Sequence, residues 1–402
     1  MNKPKALLLE GIDPIASQLL EDAGLEVENH KQALQGEELL EATKDATVLG
    51  IRSKSRLDAD FFKKRPNLIS IGCFCIGTDQ MPLSEAARHG VAVFNSPFCN
   101  TRSVAELTIA EIIALNRRLA DRSRDLHEGR WLKSAAGAHE IRGRTLGIVG
   151  YGHIGSQLSV LAETIGMRVI FHDVAQKLAL GNARRMSSLE SLLKESDVVS
   201  LHVPDSPTTR NLIGKPQISA MREGAMIINN ARGSVVDLEA LASALQSGHL
   251  GGAAVDVYPT EPRSNDEGFS SPLAGLPNVI LTPHIGGSTL EAQRSIAEDT
   301  AGKISRYLQE GSSLSSVSIP QVDLPSRRPN QHRILHFHRN VPGVLSRLHT
   351  MLAELNVNIN AEYLQSDVDT SYVILDVDAV NGEAVKRGMQ SIEETIRVRT
   401  LF

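Results

Sequence analysis

Residues 145–155 read Thr145-Leu146-Gly147-Ile148-Val149-Gly150-Tyr151-Gly152-His153-Ile154-Gly155, an apolar run that stops on a glycine and opens the chain's one G-x-G-x-x-G. With 31 glycines in 402 residues, about 0.2 such triplets arise by chance, so the surroundings carry the argument. LGIV before the motif has the makings of a buried strand, SQLSVLAETIG after it has helical apolar spacing, and the next strand, RVIFHD, ends on Asp173, 23 residues beyond Gly150. A dinucleotide site needs all of these. Gly150 permits the tight turn, Gly152 lets the backbone approach a pyrophosphate at a helix N-terminus, Gly155 lets helix pack on strand, and Asp173 accepts from the adenosine ribose diol. A carboxylate there repels a 2′-phosphate, which predicts NAD rather than NADP. His153 and Ile154 fall at the phosphate edge.

Working outward, RTLGIVG and MRVIFHD are followed by DVVSLHVP, GAMIINNA, GGAAVDV and NVILTPH, six strands in all and enough for a complete nucleotide-binding sheet. From Lys5 to about Pro97 the same βαβ rhythm occurs independently, in KALLLEGI, PIASQLLEDAG, ATVLGIRS, LDADFFKKR and NLISIGCFCIG, which predicts a second parallel, doubly wound sheet. A helical pattern from Ser103 to Glu128 leads from one to the other, and Thr289 to Glu310 reads as a helix that returns. The α/β chain is therefore expected to hold a flavodoxin-like substrate domain over 1–97 and 291–311, discontinuous around a Rossmann domain at 98–290. Ser312, Ser313, Ser315, Ser316 and Ser318 with Pro320, Pro325 and Pro329 read as a linker over 312–330. Beyond it, HRILHFH, the stripe Val344, Leu345, Leu348, Leu352 and Leu355, then VNINAEYL, SYVILDVD, NGEAVKRGMQSIEET and IRVRTLF give the βαββαβ order of a ferredoxin-like module at 331–402.

Composition agrees with several ordinary globular domains, since 402 residues at about 150 per domain predict two or three. Lys and Arg total 42 against 47 Asp and Glu, a formal charge of -5 without long blocks of either sign, which leaves no footprint for nucleic acid. Cys73, Cys75 and Cys99 are too few for a disulfide framework and point to a reducing cytoplasm; Cys73 and Cys75 read as buried thiols in a strand, not a metal site. The apolar stretch Ala6 to Leu9 is far short of a signal segment, and no run approaches the roughly 18 apolar residues of a membrane helix.

Three polar residues follow strands of the second sheet: Arg232 after MIINNA, Glu261 beyond AAVDVYPT and His284 after VILTP. Ligands in open α/β sheets bind outside strand C-termini, so the three converge on one crevice. Hydride transfer between a secondary alcohol and a nicotinamide needs a base for the hydroxyl proton, a cation for the substrate's carboxylate and polarised oxygen, and a partner that fixes the base. His284, Arg232 and Glu261 supply those groups. In the first domain Arg52-Ser53-Lys54-Ser55-Arg56 follows the strand TVLGI, a site for a substrate phosphate or else a solvated basic loop. Asn100, Arg102 and Ser103 open a helix, as anion ligands or as caps, with Ser103 favoured as a cap.

The strings GIVGYGHIG, INNARGSVVD, AVDVYPTEP and LTPHIGGST resemble the signatures of the D-isomer-specific 2-hydroxyacid dehydrogenases, and IGCFCIGTDQ, FNSPFCNTRSVAEL and HRNVPGVL resemble those members that oxidise 3-phosphoglycerate and end in an ACT domain. The resemblance implies NAD-dependent oxidation of 3-phosphoglycerate to 3-phosphohydroxypyruvate, the first step towards serine. It implies that Arg232 binds the substrate carboxylate, that Glu261 pairs with the base and that His284 handles the proton, with Arg52, Ser53 and Asn100 in substrate binding. Implied cofactor positions are Thr78, from the other domain, His153, Ile154, Asp173, Asn230, Ala231 and Arg232, then Asp256 facing the nicotinamide carboxamide, and His284, Ile285, Gly286 and Gly287. For the ACT module it implies an L-serine feedback site between paired regulatory domains of a homotetramer, at His338, Asn340 and Asn358. Val341 stands where an arginine is common, and His332-Arg333 where two arginines occur, which leaves open a dimerisation module without a ligand. A side reduction of 2-oxoglutarate accompanies this reading, and other 2-hydroxy acids or a nucleotide-gated corepressor role are the competing ones.

Overall fold

Apolar runs that do not alternate with polar residues form strands covered on both faces. The computed structural model describes residues 3–262, 267–378 and 382–402, in two units: the residues up to Cys99 with Gln293–Phe402, and Asn100–Ala292. In the first unit β1 (Lys5–Leu8), β2 (Glu26–Asn29), β3 (Ala46–Ile51), β4 (Ser70–Cys73) and β5 (Ala92–Asn95) are parallel, in the order β2-β1-β3-β4-β5. Leu7, Leu49, Ile71 and Val93 pack on Phe61 and Phe62 from one face, while Leu8, Val48, Ala92 and Phe94 meet Ala16, Leu20, Ile304 and Tyr307 on the other. Ile304 and Tyr307 come from the Leu290–Glu310 helix. Cys73 is buried in β4, and burial pushes the nearby Cys75 thiol up to about 11.

The second unit holds β6 (Thr145–Val149), β7 (Arg168–His172), β8 (Arg184–Arg185), β9 (Val198–Leu201), β10 (Ala225–Asn229), β11 (Leu250–Val255) and β12 (Val279–Leu281) in one parallel sheet, ordered β12-β11-β10-β9-β6-β7-β8. The strand order reverses at β6, whose C-terminal end opens the glycine loop, the topological switch point where such sheets bind ligands. The two-residue β8 is too short and polar to register in the sequence. The helical pattern from Ser103 to Glu128 proves to be two helices, Thr101–Arg117 and Leu119–His127, interrupted at Arg118 with φ 52°. Past the break, the Asp121 carboxylate is drawn inward to accept the Asn278 N–H at 2.7 Å.

The C-terminal strands β13 (Gln331–Arg339), β14 (Ile359–Ser366), β15 (Thr370–Asp378) and β16 (Thr395–Leu401) form an antiparallel sheet ordered β14-β15-β13-β16, the ferredoxin-like arrangement. Ile334, Val373 and Leu375 on one face pack with Leu348 and Val385 of its two helices. Leu335, Phe337, Tyr372 and Ile374 on the other join the core around Tyr307 of the first unit. Arginines fasten this contact: Arg397 donates to Leu68 O and His89 O, and Arg399 to Leu308 O. Arg333, fully buried, pairs with Asp376 at 2.6 Å and also donates to Glu310 O.

The expected linker over 312–330 is not a free tether. Its serines cover the edge of β5: Val317 N–H donates to Val93 O, Ser318 Oγ accepts from Val93 N–H at 2.9 Å, and Ser313 Oγ accepts from Val322 N–H at 2.8 Å. Ser313 and Ser316 are buried with Ile319 and Val322. An edge strand presents unpaired backbone groups, and short hydroxyl side chains satisfy them where a serine-rich composition suggests flexibility. Among the described residues no helix is long and apolar enough to cross a membrane.

Candidate active site

Each glycine of the loop after β6 has a separate geometric reason. Gly150 adopts φ 92°, and a Cβ there would stand 2.3 Å from His202 O; a Cβ on Gly155 would stand 2.2 Å from Gly150 O, so the helix can approach the strand only with glycine present. Gly152 faces open space, with no atom within 4 Å of a Cβ placed on it. The His153–Thr164 helix begins at Gly152 without a side-chain cap, so its N-terminus offers an anion the positive end of the helix dipole. Asp173, just past β7, accepts the Tyr151 N–H through Oδ2 and the Ala175 N–H through Oδ1, each at 2.8 Å, so it braces the glycine loop and keeps a carboxylate at the strand end. This cradle fits a dinucleotide.

Three further strand ends bring ionisable side chains into the same unit. The Nδ1 of His284, after β12, lies 2.8 Å from Glu261 Oε2, and Glu261 Oε1 accepts the Tyr258 N–H at 3.1 Å. The Glu261 hydrogen bond holds the His284 pKa above the ordinary imidazole value against an opposing effect of burial, with Asp256 adding to the rise and Arg232 opposing it. Burial pushes the Glu261 carboxyl up, but His284, the Tyr258 N–H and Arg232 together leave it below the usual carboxylate range. His284 is in the left-handed region at φ 56°, a strained backbone for a residue with a side chain. The turn is held by buried Asp256, which accepts Thr282 Oγ1–H and Ile285 N–H on Oδ1, at 2.6 and 2.8 Å, and Gly286 N–H on Oδ2 at 2.7 Å. The result is a half-exposed imidazole with one nitrogen anchored to a carboxylate, within electrostatic reach of Arg232, whose Nη1 donates to Ala231 O at 2.7 Å.

The sequence profile of the D-isomer specific 2-hydroxyacid dehydrogenase NAD binding domain matches residues 109–286, and that of an AHAS small subunit-like ACT domain matches residues 334–397. The chain is 50% identical over 402 residues to the D-3-phosphoglycerate dehydrogenase of Haemophilus influenzae, covering all of this chain and 98% of that one. It belongs to the D-isomer specific 2-hydroxyacid dehydrogenases. The D-3-phosphoglycerate dehydrogenase of Escherichia coli is 49% identical over 404 residues, again with all of this chain and 98% of that one covered. Among solved structures, the NAD-complexed D-isomer specific 2-hydroxyacid dehydrogenase of Lactobacillus delbrueckii superposes with a TM-score of 0.68 at 27% identity, covering 78% of this chain and 99% of that one. As a 2-hydroxyacid dehydrogenase the chain is an NAD-binding oxidoreductase that also carries an ACT domain.

Several residues that shape this dehydrogenase's site gave no signal in the sequence. Gly233 follows Arg232, and a Cβ there would lie 2.0 Å from the Tyr258 backbone carbon, so the Arg232 and Glu261 loops touch through their main chains. Asn230 Nδ2 donates to Thr108 Oγ1 at 3.0 Å and to Glu111 Oε2 at 2.6 Å. Glu111 is buried in the Thr101–Arg117 helix, and burial pushes its carboxyl up to about 8 against the lowering effect of the Asn230 hydrogen bond. A carboxyl whose folded pKa is raised binds its proton more tightly in the folded state, so it progressively destabilises the fold as pH rises from about 4.5 to about 8. Glu111→Gln, which keeps the amide contact without the titration, is expected to gain stability relative to the parent across that window; a pH series of thermal melts with a constant difference would refute this.

The remaining sequence-derived positions are distributed between the units. Asn100 is buried at the N-cap of the Thr101–Arg117 helix without a cap hydrogen bond; its Oδ1 is unpartnered, and a Cβ on Gly287 would stand 2.4 Å from its Nδ2. It therefore packs against the turn that carries His284. Ser103 is not the cap: it lies inside the helix, 2.8 Å from Thr289 Oγ1. Arg52, Ser53 and Thr78 belong to the other unit, on the loops after β3 and β4. In the ACT domain His338 is buried with Nδ1 2.8 Å from Arg339 O, and burial lowers its pKa. Asn340 N–H donates to Asp369 O and Asp378 N–H to Asn358 O, so Asn340 and Asn358 sit at opposite ends of β15. One copy does not bring them together.

Proposed function

We propose that this dehydrogenase oxidises 3-phosphoglycerate to 3-phosphohydroxypyruvate, and that L-serine restrains it through paired ACT domains in a homotetramer. The 2.8 Å His284–Glu261 pair, within electrostatic reach of Arg232, carries the reading. When bound, NAD supplies the hydride acceptor. His284 takes the proton of the C2 hydroxyl at Nε2 as that carbon gives up hydride and becomes a ketone. Glu261 steadies the resulting imidazolium. Arg232 binds the carboxylate, and Arg52 and Ser53 meet the phosphate, with Asn100 as a further polar contact. Thr78, His153, Ile154, Asp173, Asn230, Ala231, Asp256 and His284 to Gly287 are the proposed cofactor contacts; Asp256 acts partly through the turn it braces.

The name shared by the Haemophilus influenzae and Escherichia coli relatives favours the phosphorylated substrate over other 2-hydroxy acids. The separation of Asn340 from Asn358 favours an effector site with His338 and Asn340 from one copy and Asn358 from a second. NADH oxidation by the purified chain tests the whole reading, with 3-phosphohydroxypyruvate, hydroxypyruvate and 2-oxoglutarate in parallel, each with and without L-serine. The expected result is fastest turnover of the phosphorylated acid, slower reduction of 2-oxoglutarate, and suppression by serine. Turnover indifferent to serine would leave the ACT domain as an assembly element; no turnover with any acid would favour a nucleotide-gated binding protein.

A further inference from the structure

The loop proposed to meet the substrate phosphate is held by a residue from the neighbouring strand end. Glu10, just after β1, places its carboxylate under the turn that leaves β3: Oε1 accepts the N–H of Arg52 at 3.1 Å and of Ser55 at 2.8 Å, and Oε2 accepts the N–H of Lys54 at 3.0 Å. Convergent backbone N–H groups of this kind form an anion-binding concavity. Here the anion is a side chain of the same chain.

Glu10 is itself held in an uncommon conformation. Its φ is 63°, the left-handed region that long side chains avoid, and its own N–H donates to Gln32 O at 3.1 Å. Gln80 adds a second strap, with Nε2 donating to Arg52 O at 2.7 Å and its main-chain carbonyl accepting the Leu57 N–H at 2.9 Å. Ser55 is drawn into the interior, while Ser53, Lys54 and Arg56 stay exposed and Arg52 is partly so. Since Glu10 occupies three of the loop's N–H groups, an incoming phosphate meets side-chain cations and the Ser53 hydroxyl in place of those amides.

We propose that Glu10 is the positioning residue of the phosphate site, acting through Arg52, Ser53 and Lys54 to fix discrimination between phosphorylated and unphosphorylated substrates; this rests on the substrate reading above. Glu10→Gln tests it by charge and by geometry. Its amide oxygen can still take the Arg52 and Ser55 N–H groups, but its NH₂ then faces the Lys54 N–H, donor against donor.

The readout is the ratio of kcat/KM for 3-phosphohydroxypyruvate to that for hydroxypyruvate, with Arg52→Ala measured alongside. The ratio is expected to fall about tenfold in Glu10→Gln, the equivalent of one lost hydrogen bond, and to recover partly in Glu10→Asp, which keeps the carboxylate. Glu10→Gly, which relieves the left-handed backbone while removing the acceptor, keeps the question answerable if the glutamine variant fails to fold. A ratio that falls in Arg52→Ala but holds in the Glu10 variants overturns the positioning role and leaves the phosphate loop standing. A ratio unchanged in Arg52→Ala overturns the phosphate loop, and the role of Glu10 with it. Equal losses on both substrates in Glu10→Gln reduce Glu10 to a structural support and also overturn the proposal.

Discussion

His284→Ala is expected to lower kcat by about 10²- to 10⁴-fold in both directions while NADH binding, followed by nucleotide fluorescence, weakens far less, since His284 is one of many proposed cofactor contacts. The glycine cradle and Asp173 are untouched by the substitution, whereas the proton of the substrate hydroxyl loses its acceptor. Glu261→Gln should act through the same imidazole with a distinct signature. The Glu261 hydrogen bond is the main reason the His284 pKa stands above its ordinary value, and burial and Arg232 both pull it down. Neutralising the partner therefore lowers it. Ketone reduction needs the imidazolium, so its rate should fall away at lower pH than in the parent; alcohol oxidation needs the neutral ring, so its acid limb should also move to lower pH. An unaltered turnover number in His284→Ala, or limbs that move upward in Glu261→Gln, would remove the pair from the proton transfer.

The architecture was largely legible because its strands are continuous apolar runs buried on both faces. Leu7, Leu8, Val48 and Leu49 advertise a parallel sheet without any partner being known, and Gly150, Gly152, Gly155 and Asp173 mark a dinucleotide cradle by their place between strand, helix and strand. The placement of Arg232, Glu261 and His284 after strands was equally readable, since strand C-termini share one edge of a sheet. What escaped depended on tertiary contact. Arg118 looks like any helical arginine, yet it takes φ 52°, and beyond it Asp121 accepts the Asn278 N–H. The serines between 312 and 318 have a linker's composition, yet they close the open edge of β5.

Carboxylates that accept from the chain's own groups were the least legible. Glu111 and Glu10 read as ordinary charges in the sequence, because nothing local separates a solvated acid from one whose acceptors are spent on its own chain. Asp256 shows the difference. Expected to face the carboxamide of the nicotinamide, it accepts three hydrogen bonds from the turn around His284. Its proposed cofactor role is therefore joined to the orientation of the base.

Arg232→Ala carries the second large expected effect, a fall in kcat/KM of about 10²- to 10⁴-fold. Hydrogen bonds to charged groups are worth roughly 1.5–3 kcal/mol each, and a guanidinium fork on a carboxylate makes two. Arg232→Lys should recover only part of the loss, since an ammonium restores the charge but not the planar fork. The pH profile separates this role from mere support of the loop. Arg232 holds the His284 pKa down and also draws that of Glu261 down. Its removal should therefore shift the alkaline limb of ketone reduction upward, opposite in sign to Glu261→Gln, while the lysine variant stays close to the parent. A loss of kcat/KM without that upward shift would mean that the guanidinium acts on the substrate alone. A shift without the loss would mean that the carboxylate is bound elsewhere and that Arg232 serves only to tune the histidine.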